Sequence, residues 1–70
     1  MASVTAGDVR EMLASYWAPG QQGASLEEIA KAAKKLKKEE RGMLRLSIPR
    51  TTGTTGERCE VLRELFTELG

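Results

Sequence analysis

Ser25 and Glu28 stand three residues apart at the head of "SLEEIAKAAKKL", residues 25–36. At that spacing the serine hydroxyl accepts from the amide of the glutamate, and the glutamate carboxylate reaches back to the serine amide. Two of the free N–H groups of a helix start are satisfied together. Leu26, Ile29, Ala33 and Leu36 then follow at the three-and-four spacing that lines one helix face. The alanines between them favour helix intrinsically. A capped, amphipathic helix over 25–36 is the element the rest of the chain must pack around.

Two further segments share this logic. In "TAGDVREMLASYW", residues 5–17, Thr5 and Asp8 form a similar start, and Val9, Met12, Leu13, Tyr16 and Trp17 share a face. Pro19 and Gly20 end the pattern, and "PGQQGA" reads as a loop. In "ERCEVLRELFTEL", residues 57–69, Cys59, Val61, Leu62, Leu65, Phe66 and Leu69 fall on one arc, and Thr54 with Glu57 offers a third capping pair. The segment "TTGTTG" before it has turn composition and no structural period.

Residues 37–48, "KKEERGMLRLSI", fit two periods. A helix from about 38 turns Met43 and Leu44 toward a core. A strand alternates Leu44, Leu46 and Ile48 with Arg45 and Ser47. Gly42 weakens a helix here, and Pro49 ends either element. The expected fold is therefore one small all-α domain of three to four helices spanning residues 1–70. Val9, Leu13, Tyr16, Leu26, Ile29, Leu36, Leu44, Leu62, Leu65 and Phe66 would form its core. The alternative is a winged-helix-like α+β domain with a hairpin of 43–48 and 58–62.

A 70-residue chain has a narrow stability margin, roughly 3–5 kcal/mol. Its single cysteine excludes an internal disulfide, and without histidine the lone thiol and scattered carboxylates make no structural zinc set. A subunit contact is the remaining staple, so self-association through the last helix or 43–48 is expected. No cofactor is expected. No basic start followed by an apolar run marks a secretory signal, no apolar run is long enough for a membrane helix, and one unpaired thiol suits a reducing compartment. A cytoplasmic protein with no membrane partner is the expectation.

Catalysis has no candidate machinery. Cys59 lies on an apolar helix face with no histidine to activate it. Glu27 with Glu28, and Glu39 with Glu40, are neighbours on a helix and point about 100° apart, a poor geometry for shared acid–base work. "PRTTGTTGER" leads glycines and threonines into a helix start, as phosphate cradles do, but Glu57 and Arg58 stand where a nucleotide loop needs Lys and Ser/Thr. The chain is expected not to be an enzyme.

Charge is where binding is to be sought. The net charge is +1, yet residues 25–50 hold eight basic side chains against four acidic ones, while Glu57, Glu60, Glu64 and Glu68 make the last helix acidic. Lys31, Lys34, Lys35 and Lys38 form a stripe opposite the apolar face of 25–36. Glu27 lies four before Lys31, and Glu39 four after Lys35. A solvated face is the plainer reading of such a run. The expected function is thus a non-catalytic interaction or regulatory module binding another protein, or itself as a homodimer, through exposed apolar residues: Trp17, Met43, Leu46 and Ile48. The alternative is a nucleic-acid-binding regulator using Lys31, Lys34, Lys35, Lys38, Arg41, Arg45 and Arg50. A helix-turn-helix built on "SLEEIAKAAKK" fits poorly, since Lys34, Lys35 and Leu36 occupy the place of a turn glycine.

Overall fold

The computed structural model describes residues 3–18 and 23–70. Within them the chain forms four helices and no strand: α1 Ala6–Trp17, α2 Leu26–Lys34, α3 Lys38–Ser47 and α4 Gly53–Leu69. The winged-helix alternative is thereby overturned, because 43–48 belongs to α3 and its C-cap while 58–62 lies inside α4. Pro19 and Gly20, read as the stop after the first helix, lie outside the described residues. α1 itself ends at Ala18, whose amide donates to the Ala14 carbonyl at 3.0 Å.

Both local caps form as the spacing requires. The Asp8 amide donates to Thr5 Oγ1 at 3.2 Å, and the Thr5 amide donates to Asp8 Oδ2 at 3.1 Å. Ser25 and Glu28 repeat this, with amide bonds of 3.2 and 3.3 Å. α3 starts without a side-chain acceptor at its N-cap, Lys37, although Glu40 Oε1 accepts from the Lys37 amide at 3.1 Å. The third capping pair read from the sequence does not form. α4 begins before it, at Gly53, and its N-cap Thr52 makes no side-chain bond. Gly53 takes φ 74°, a conformation open to glycine, so regular helix starts one residue inside the element. Gly56 has a different task, since a Cβ there would lie 2.3 Å from the Thr51 carbonyl oxygen.

α1 and α4 each touch every other helix, and α2 and α3 pack against that central pair. The core comprises Val9 and Leu13 from α1, Ile29 and Ala33 from α2, Leu36, Leu44 and Ile48 around α3, and Cys59, Leu62 and Phe66 from α4. Tyr16, Leu26 and Leu65, expected inside, pack half-buried at its margin. Each fully buried leucine or isoleucine stabilises the fold by about 1.5–3 kcal/mol relative to exposure. Ile48 joins the core because 44 and 48 are one helical turn apart. A strand would have put Leu44, Leu46 and Ile48 on one side, whereas the helix sends Leu46 to the opposite side from both.

Candidate protein-interaction surface

The face that α3 turns outward carries Met43, 69% exposed, and Leu46, 80% exposed. They sit three residues apart, so their side chains are neighbours on the helix surface. Glu39 precedes them on the same side. Gly42 lies beside them with nothing within 4 Å of where its Cβ would stand. Ile48, expected with them, is only 4% exposed and is removed from the surface set. Trp17 is half-buried and packs against the core from the end of α1. Only Met43 and Leu46 of the four expected apolar contacts are thus brought together as an open surface.

The cationic residues divide into free and committed groups. Lys31, Lys34, Lys35 and Lys38 are exposed. The glutamates spaced to answer them make no ion pair, and among the described residues the single ion pair joins Arg63 Nη2 to Glu60 Oε2 at 2.9 Å. Lys35 and Glu39 are separated because α2 ends at Lys34 and α3 starts a new axis at Lys38. Arg41 is committed: Nη1 donates to the Leu36 carbonyl at 2.7 Å, and Nη2 donates to the Gly70 carbonyl at 3.3 Å. Arg45 Nη1 reaches Thr67 Oγ1 at 3.4 Å, and Arg50 is exposed.

Two arginines that the sequence did not single out have the same kind of task. Arg58 Nη1 donates to the Tyr16 carbonyl at 3.2 Å, with its guanidinium 5.2 Å above the Tyr16 ring. Arg63 Nη1 donates to the Pro49 carbonyl at 3.1 Å. Carbonyls at the ends of α1, α2 and α3 therefore each accept from a guanidinium of another helix or turn. Positive charge is favoured at those ends by the helix dipole. The available signal is that the C-caps Ala18, Lys35 and Ile48 are not glycines, so the last carbonyls need donors from elsewhere.

Two adjoining hollows lie between α3 and α4. One of about 200 Å³ is lined by Lys38, Arg41, Gly42, Arg45, Phe66, Thr67 and Gly70. The other, about 220 Å³, is bordered by Arg45, Leu46, Ile48, Arg50, Arg63 and Thr67. No carboxylate side chain lines either, so cations edge the α4 side of Leu46, while Glu39 stands at the other end of the outward face. Elsewhere the chemistry is sparse. Cys59 is fully buried, and burial pushes its thiol above the ordinary value, with Arg63 offsetting part of the shift. No three metal-ligating side chains gather among the described residues, and no helix there is long and apolar enough to cross a membrane.

Comparison with known proteins gives no relative: no protein-family model, no curated protein and no solved structure matches this chain.

Proposed function

We propose that this chain is a non-catalytic protein-interaction module whose contact surface is the outward face of α3. The observation that carries the reading is the adjacency of Met43 and Leu46 at 69% and 80% exposure on a helix whose other apolar positions are buried. Isolated exposed apolar residues are ordinary on protein surfaces, whereas neighbouring ones rimmed by charge have the anatomy of a contact site. The cations beside them orient an approaching partner more than they strengthen its grip. A photo-crosslinking residue placed at Leu46, with one at the exposed Glu27 of α2 as control, tests this in cells that make the chain natively. Protein adducts at 46 and none at 27 support the reading, and an absence of protein adducts at 46 overturns it.

The exposure of Lys31, Lys34, Lys35 and Lys38, with Arg45 and Arg50 edging hollows that no carboxylate side chain lines, favours a second reading, binding of nucleic acid by these six residues. It ranks behind because Arg41 is committed to carbonyls and no aromatic ring stands fully exposed for base stacking. Micromolar binding at about 150 mM salt, with log affinity falling about 0.9 per duplex phosphate neutralised, would raise it above the first.

A further inference from the structure

We infer that the contact surface runs from Leu46 into the trough between α3 and α4, and that its partner is an acidic segment of another protein with an apolar side chain between its carboxylates. The inference rests on the interaction reading above and names the class of partner. Lys38, Arg41 and Arg45 stand three and four residues apart within α3, so they form one row along the side that meets α4. The second hollow continues the trough past Arg45 and Thr67, which line both, to Leu46, Arg50 and Arg63. Arg41 and Arg63 are held by carbonyls, and Arg63 by Glu60 as well. Among the described residues Lys38 and Arg50 have no side-chain bond, and Arg45 has only a long one, 3.4 Å to Thr67 Oγ1. Three open cations thus edge one trough that no carboxylate side chain lines, and the planar fork of a guanidinium matches a carboxylate.

Between the cations the trough is apolar. Phe66 and Ile48 form its floor, and Leu46, 80% exposed, forms its lip. A matching guest therefore carries carboxylates and an apolar group together. The hollows, about 200 and 220 Å³, fall below the roughly 300 Å³ at which small-molecule sites begin, so each suits a side chain and not a whole small ligand. Gly42 supplies an independent observation. A glycine inside a helix is unfavourable relative to alanine. Here neither a positive φ nor any close neighbour requires it, yet it lines the first hollow, where the missing side chain leaves room for a guest. A nucleic acid matches less well. Glu39 follows Lys38 and Glu60 pairs with Arg63, so the positive field is confined to the trough and does not run on as a phosphate chain requires.

Titration of the full chain with a blocked peptide whose leucines are each flanked by glutamates, followed by amide NMR shifts at about 150 mM salt, tests it. The expected result is saturable binding tighter than about 1 mM, with shifts gathered at Arg45, Leu46, Arg50 and Thr67. Arg45→Glu should weaken binding about tenfold, whereas Arg10→Glu, the same change of charge at an exposed position of α1, should leave it within about twofold. Gly42→Leu should also weaken it about tenfold with the helical circular dichroism signal kept, since the site is open and leucine suits a helix. No binding up to about 1 mM, shifts scattered away from the trough, equal losses in Arg45→Glu and Arg10→Glu, undiminished binding in Gly42→Leu, or tighter binding of a duplex oligonucleotide than of the peptide would each overturn the proposal. Absence of peptide binding together with protein adducts at 46 would sink the acidic partner and leave the interaction surface standing.

Discussion

α1 and α2 open on Thr5 and Ser25, each trading bonds with the residue three positions on, whereas α3 opens on Lys37 and α4 on Thr52 with no side-chain acceptor. The two halves of the molecule are therefore specified differently. The first half has its helix starts written into four-residue stretches, and each forms from local chemistry. In the second half Arg41 ties α3 to the Leu36 carbonyl and to the end of α4, while Arg63 ties α4 to the Pro49 carbonyl. The bonds to the Gly70 and Pro49 carbonyls exist only once the helices have met. Local caps make a helix start legible and cheap to form, while long-range pins make it conditional on the assembled core.

The contrast can be broken most severely where both halves share a wall. Phe66→Ala on α4 should cost about 3–5 kcal/mol, enough to unfold much of the population at 25 °C, read as loss of the helical circular dichroism signal. Arg41→Ala should cost about 1.5–3 kcal/mol, since charged hydrogen bonds to two carbonyls are lost. Hydrogen exchange should then speed up first at the last turn of α4 while α1 amides stay protected. Gly56→Ala should cost about 1–3 kcal/mol by urea denaturation, because the new Cβ meets the Thr51 carbonyl. Ser25→Ala should cost about 1 kcal/mol, and Thr52→Ala under about 0.5 kcal/mol; equal costs would erase the distinction between the halves. Gly42→Ala should raise monomer stability by about 0.5–1 kcal/mol in dilute thermal melts, there being open space at its Cβ.

Legibility in the sequence follows the same division. Thr5 with Asp8 and Ser25 with Glu28 announced their helices because every group involved lies within four residues. Residues 43–48 did not announce theirs. A short apolar run behind a lysine N-cap satisfies a period of two as well as one of 3.6, and that ambiguity grouped Ile48 with Leu46. Once the segment is a helix, Ile48 falls in with Leu44 and only Met43 and Leu46 stay outside. Thr54 and Glu57 misled for another reason. The crossing of Thr51 over Gly56 and the φ of Gly53 start the helix earlier, and neither is visible in a four-residue pattern. The roles of Arg58 and Arg63 are longer in range still, 42 and 14 residues from their carbonyls.

The guanidinium pins also bear on what kind of device this fold is. Arginine keeps its charge at every pH a cell offers, the chain contains no histidine, and its one thiol is walled into the core. Acidification toward pH 5 or a change in redox poise finds no side-chain lever among the arginines that end α1, α2 and α3. The pins behind α3 therefore keep their charge across that range, and Met43 and Leu46 are presented by a helix whose guanidinium ties do not titrate.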